Sequence, residues 1–133
     1  MSEFFEIGKD KAFEGKEDYL QTQCMGWLRI QYRKINAFHV PNGGNRNARE
    51  GRKFKNMGVV AGVSDVIILE ARQGYHGLIV ELKNKKGRLR DTQKDFLRKC
   101  ELSGYKTAVV YSFDGFRELI TNYFHEEINK NKG

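Results

Sequence analysis

Two carboxylates and a lysine stand in runs that are otherwise apolar. Asp65 opens the segment Asp65-Val66-Ile67-Ile68-Leu69, and 16 residues later Glu81 falls within Leu78-Ile79-Val80-Glu81-Leu82-Lys83. Strand side chains alternate between faces, so Ile79, Glu81 and Lys83 point one way while Leu78, Val80 and Leu82 point the other. A strand this apolar is expected at the centre of a sheet, where charges rarely enter unless paired or bound to a metal. Carboxylates beside an ammonium in such a place form a candidate metal site, and the chemistry they suggest is attack on a phosphodiester. The spacing alone carries little, because Glu14-Gly15-Lys16 repeats it in a stretch without strand character.

Two helices must bring further polar groups to that strand pair. Lys16 to about Tyr32 reads as a helix, with Leu20, Cys24, Trp27, Leu28 and Gln31 at helical spacing. Glu17 precedes Leu20 by three residues and Cys24 by seven, which puts it on the apolar stripe. A second helix is expected from an N-cap at Asp91 to about Ser103, stopped by Gly104, with Phe96, Leu97 and Cys100 as its stripe. Gln93 shares that stripe. Polar residues near a helix start are ordinary when taken singly. Taken together, one cluster of Glu17, Asp65, Glu81, Lys83 and Gln93 would give all five the partners that buried polar groups need.

The remaining elements follow from turn and breaker signals. Phe38-His39-Val40 is a short strand that Pro41 ends, and Asn42-Gly43-Gly44-Asn45 is turn chemistry. A short helix in the basic segment runs to Gly58, and Gly58 and Gly62 bracket a small apolar stretch before Asp65. Gln73 to Gly77 is a hairpin-length connection. Lys106 to Tyr111 is a β-branched strand, and Ser112 or Asp114 begins a last helix burying Phe116, Leu119, Ile120, Tyr123 and Phe124. The order is helix, strand, short helix, strand, strand, helix, strand, helix, which implies a mixed sheet with helices packed on it.

A chain of 133 residues, 39% hydrophobic and 31% charged, suits one folded domain. The expected core spans about 16–128, with frayed ends including Asn129–Gly133. No apolar run approaches the roughly 20 residues of a membrane span and no signal peptide is expected, so a cytoplasmic location follows. Cys24 and Cys100 read as separate buried thiols. His39, His76 and His125 lack ligand spacing, and the Gly-rich pieces lack that of a nucleotide-binding loop, so no nucleotide cofactor is implied.

The net charge of +7 is local. Residues 46–55 carry Arg46, Arg49, Arg52, Lys53 and Lys55 against Glu50, a net +4, and residues 83–90 carry Lys83, Lys85, Lys86, Arg88 and Arg90, a net +5. The rest of the chain, with 14 basic and 16 acidic residues, is −2. A focused basic footprint is the signature of a polyanion binder.

With these residues in view, the chain resembles the PD-(D/E)xK nuclease superfamily, and within it the virus-type replication-repair nuclease (VRR-NUC) family. The similar segments are Pro41-Asn42-Gly43-Gly44, Gly62-Val63-Ser64-Asp65, Gly77 to Lys83, Lys86-Gly87-Arg88-Leu89, Gln93 and Gly104-Tyr105, with Glu17 ahead of them. Ser64 departs from the proline often found before the aspartate, which removes nothing catalytic. The resemblance implies a restriction-endonuclease-like α-β-β-β-α-β core and Mg²⁺ or Mn²⁺. Asp65, Glu81 and the Leu82 carbonyl would ligate the metal, with Glu17 helping directly or through water. Lys83 would position or activate the water, and Gln93 would orient the cluster. The activity implied is a metal-dependent endodeoxyribonuclease, structure-selective for branched DNA such as four-way (Holliday) junctions and working as a homodimer. It would act in a bacterial or phage-infected host cell. Asn42, Gly43, Gly44 and the two basic segments would hold the DNA. A non-catalytic nucleic-acid-binding module with this fold, or a nuclease for linear or nicked duplex, are the alternatives.

Overall fold

The alternation along Leu78–Lys83 divides the molecule into two cores. In the computed structural model, which describes residues 3–41 and 48–125, strand β4 (Leu78–Leu82) is buried along its whole length. Leu78, Val80 and Leu82 join one hydrophobic cluster, while Ile79 joins another on the opposite face. β4 lies at the centre of a five-stranded sheet ordered β1-β5-β4-β3-β2, where β1 is Glu6–Ile7, β2 Ala37–His39, β3 Val66–Ile68 and β5 Lys106–Val110. β4 runs parallel to β5 and antiparallel to β3, and β3 runs antiparallel to β2, which makes the sheet mixed. β1, a two-residue strand parallel to β5, has no counterpart among the sequence expectations; it is too short to show periodicity.

The larger cluster is covered by helix α1 (Glu17–Gln31) and helix α4 (Phe113–Tyr123). Leu20, Cys24 and Leu28 of α1 are buried at helical spacing, and each fully buried leucine contributes roughly 2 kcal/mol of apolar transfer. α4 buries Phe116, Leu119, Ile120 and Tyr123, and Ser112 caps it by accepting a hydrogen bond from the Gly115 amide at 2.9 Å. The other face is covered by helix α3 (Asp91–Leu102), which buries Leu97 against Ile67, Ile79 and Val109. The N-cap of α3 is Arg90 and Asp91 is its first helical residue, so the helix begins one position earlier than the aspartate signal suggests. Helix α2 (Ala48–Asn56) carries the first basic segment.

The β3–β4 connection is a tight turn at Gln73-Gly74, whose φ values of 55° and 86° suit a type I′ hairpin. Gln73 accepts this left-handed conformation while its side chain donates to the Asn122 carbonyl at the end of α4, at 2.6 Å. Cys24 and Cys100 are free thiols on opposite sides of the sheet. Among the described residues no helix is long and apolar enough to cross a membrane.

Candidate active site

The sheet register explains why two carboxylates meet. Val66 pairs with Val80 and Ile67 with Ile79, so one more step along the same ladder sets Asp65 opposite Glu81. Directly opposed residues on antiparallel strands share a face at contact distance. Asp65 is held there by its own backbone neighbours: its Oδ2 accepts from the Leu82 amide at 2.7 Å, and its carbonyl accepts from the Val40 amide at 2.9 Å. The preceding loop is pinned as well. Gly62 has φ of 85°, and a Cβ there would lie 2.3 Å from the Thr92 carbonyl oxygen of α3, so only glycine fits between loop and helix.

Glu81 and Lys83, the two charges on the apolar strand, are 2% and 4% exposed, and their side chains lie 3.8 Å apart. Removing both charges from water costs more than such a pair returns, so fold stability does not account for them. Gln93 completes this side. Its Oε1 accepts from the Arg90 amide at 2.8 Å, and its Nε2 donates to Glu81 Oε1 at 3.0 Å. The first turn of α3 is thereby tied to the carboxylate. Glu81 Oε2 is buried without a hydrogen-bond partner, although Asp65 and Ser64 stand beside it. Burial pushes the Glu81 carboxyl up to about 9, the Asp65 charge adds to the rise, and Lys83 opposes it.

Glu17 enters from the other layer. Its Oε2 accepts from the Asn84 amide at 3.4 Å, and it lines the same cavity of about 390 Å³ as Asp65, Glu81, Leu82, Lys83 and Gln93. The five sequence-selected residues therefore share one cleft at the end of the sheet, at the N-terminal turns of α1 and α3. They do not form one mutually bonded cluster. Among the described residues no three His, Cys, Asp or Glu side chains come together closely enough to cage a metal.

Two further cleft residues escaped the sequence reading. Gln21 lies one turn after Glu17 and His39 ends β2. The His39 Nδ1 lies 2.8 Å from the Asp65 carbonyl, an oxygen that can only accept, so Nδ1 carries the proton. The spacing of Gln21 to Cys24 and Leu28 was a usable signal for the first; nothing local marked His39. Arg49, Arg52, Lys53 and Lys55 of α2 are exposed, as are Lys85, Lys86, Arg88 and Arg90, and of these Arg90 lines the cleft. Lys85 pairs with Glu14, whereas Lys86, Arg88 and Arg90 make no ion pair among the described residues. Asn42, Gly43, Gly44 and Arg46, also expected at the nucleic-acid surface, lie outside the described residues, as does the tail at Asn129–Gly133.

The family model for the VRR-NUC domain matches residues 11–114, which takes in both helices, every strand of the cleft and all of its residues. The chain belongs to the VRR-NUC family. A VRR_NUC domain protein of solved structure superposes with a TM-score of 0.71 at 33% identity, over 84% of this chain and 91% of that one. No curated protein matches the chain. VRR-NUC domains have a nuclease fold, and the mixed sheet flanked by helices is that fold.

Proposed function

We propose that this chain is a divalent-metal-dependent endodeoxyribonuclease whose reacting centre is the cleft of Asp65, Glu81 and Lys83. The observation that carries the reading is the buried, unpartnered Glu81 Oε2 beside a second carboxylate. Two carboxylates in apolar surroundings repel one another, and a hard cation is the partner that relieves both. The donor set fits Mg²⁺ or Mn²⁺: Asp65 and Glu81 would supply oxygens, and Leu82 and Glu17 line the same cavity, where the Leu82 carbonyl would join them and Glu17 would help directly or through water. A bound cation would polarise the scissile phosphate and lower the pKa of water.

The protein's own groups do the rest. Lys83, fixed by Glu81 and buried, offsets the negative charge that builds on the non-bridging phosphoryl oxygens in the transition state, and positions the attacking water. Gln93 holds Glu81 in one rotamer by donating to Oε1 while its other end is occupied by the α3 backbone. A carboxylate in place of Gln93 would accept from Arg90 but could not donate to Glu81. Arg90 lines the cleft, and the exposed cations of α2 and of residues 85–90 would take backbone phosphates of the bound DNA.

Two finer readings go with this one. The substrate is branched DNA, a four-way junction above all, and the working form is a homodimer, because two strands cut in concert need two such centres. Sedimentation of the full chain at micromolar concentration tests the second; a monomer there would refute it. For the chemistry, Lys83→Ala is compared with wild type for DNA binding and cleavage in Mg²⁺. Retained binding with lost cleavage is expected, and equal cleavage would remove Lys83 from the mechanism.

A further inference from the structure

Helix α1 turns a second polar side chain toward the cleft. Gln21 follows Glu17 by four residues, so both lie on the same side of the helix. Both atoms of its carboxamide are buried, and neither has a hydrogen-bond partner. A donor and an acceptor left unmade in the interior destabilise a fold, and a methionine would fill the same space at no such cost. The only other buried side-chain atoms without a partner among the described residues are Ser64 Oγ and Glu81 Oε2. Ser64 adjoins Asp65, while Gln21 and Glu81 line the one cavity. The unmade hydrogen bonds of this chain thus gather at one end of the sheet, which is the pattern expected where a ligand completes them.

We propose that Gln21 is a substrate-binding residue, with its Nε2 donating to a non-bridging oxygen of the phosphodiester in the cleft and its Oε1 accepting from a water beside it. This rests on the nuclease reading above. Lys83 brings charge to that phosphate but, as a rotating ammonium, little direction. A planar carboxamide has one donor end and one acceptor end in fixed relation, which suits a phosphate oxygen and a water held side by side. His39, which shares the cavity, has its Nδ1 committed to the Asp65 carbonyl.

The test uses the full chain as wild type, Gln21→Met and Gln21→Glu. Three quantities are read: Tm in EDTA, Mn²⁺ binding by titration calorimetry, and single-turnover cleavage of duplex and junction DNA. For Gln21→Met the expectation is a Tm higher by roughly 3–6 °C, because two unmade hydrogen bonds are gone. Mn²⁺ affinity should stay unchanged, while the cleavage rate constant falls about 10- to 100-fold with a smaller change in KM. Gln21→Glu keeps the acceptor, loses the donor and adds a charge, so its cleavage should fall at least as far. Wild-type cleavage by Gln21→Met, or a fall in its Tm together with its activity, would mark Gln21 as a packing residue and overturn the inference alone. Failure of the wild type to bind Mn²⁺ and to cut any of the DNAs would overturn the nuclease reading, and this inference with it.

Discussion

Replacing Glu81 by glutamine isolates what the metal-free protein gives up to keep a carboxylate in its interior. The group titrates near its ordinary 4.5 in the unfolded chain and at about 9 in the folded protein. Between those values the folded state retains a proton that the unfolded chain releases. Stability follows the protons bound by the unfolded state less those bound by the folded one, so it falls as pH rises through this window. One group contributes at most about 1.4 kcal/mol per pH unit. Because Asp65 shares its field, the titration is spread and a slope of roughly 1 kcal/mol per unit is expected. Glutamine keeps an oxygen for the Gln93 donor and carries no titrating proton. Urea denaturation in EDTA from pH 5 to 9 should therefore show wild-type stability declining relative to Glu81→Gln. The gap between the two curves should grow by roughly 3 kcal/mol from pH 5 to pH 8. Adding Mn²⁺ should flatten the wild-type curve and leave that of the variant in place. Parallel curves in EDTA would refute the account of Glu81 as a carboxyl buried for a cation.

Gln93→Glu should fold normally, since Oε1 can still accept from Arg90, yet cleave at least about 10-fold more slowly because a third negative charge faces Glu81; wild-type rates would deny Gln93 its orienting role. Gly62→Ala should destabilise the protein by about 1–3 kcal/mol in urea, its methyl meeting the Thr92 carbonyl at a left-handed φ; an unchanged midpoint would show that the loop yields. Changing Arg49, Arg52, Lys53 and Lys55 together to glutamine should weaken DNA binding and lower the salt slope of log K by roughly 3 to 4, read by fluorescence anisotropy; an unchanged slope would take α2 off the DNA surface.

The alternation of Leu78 to Lys83 was legible because a strand with a period of two assigns each residue a face, and the structure keeps those faces. The helical stripes placed α1, α3 and α4 for the same reason. What lay beyond reach was long-range. Asp65 and Glu81 meet through a cross-strand register that becomes readable only when the hairpin turn at Gln73-Gly74 is known. α1 and α3 pack on opposite faces of the sheet, so Glu17 and Gln93 approach one cleft from two layers. Stripe spacing cannot say which layer a helix joins. Gln21 shares the helical spacing of Cys24 and Leu28 but carries no charge to mark it, and His39 shows no ligand spacing because its partner is a backbone carbonyl 26 residues away. Arg90, rather than Asp91, caps α3 because the Gln93 side chain reaches back to its amide.

One gel tests whether Asp65, Glu81 and Lys83 form the centre of a metal-dependent phosphodiesterase. End-labelled four-way junction, flap, nicked and linear duplex DNA are incubated with wild type and Glu81→Ala in Mg²⁺, Mn²⁺ or EDTA. Paired cuts near the junction that need the divalent ion and vanish in Glu81→Ala are the predicted result. Salt-sensitive binding by both proteins with no cutting in either metal would contradict it and leave a DNA-binding module built on a nuclease fold.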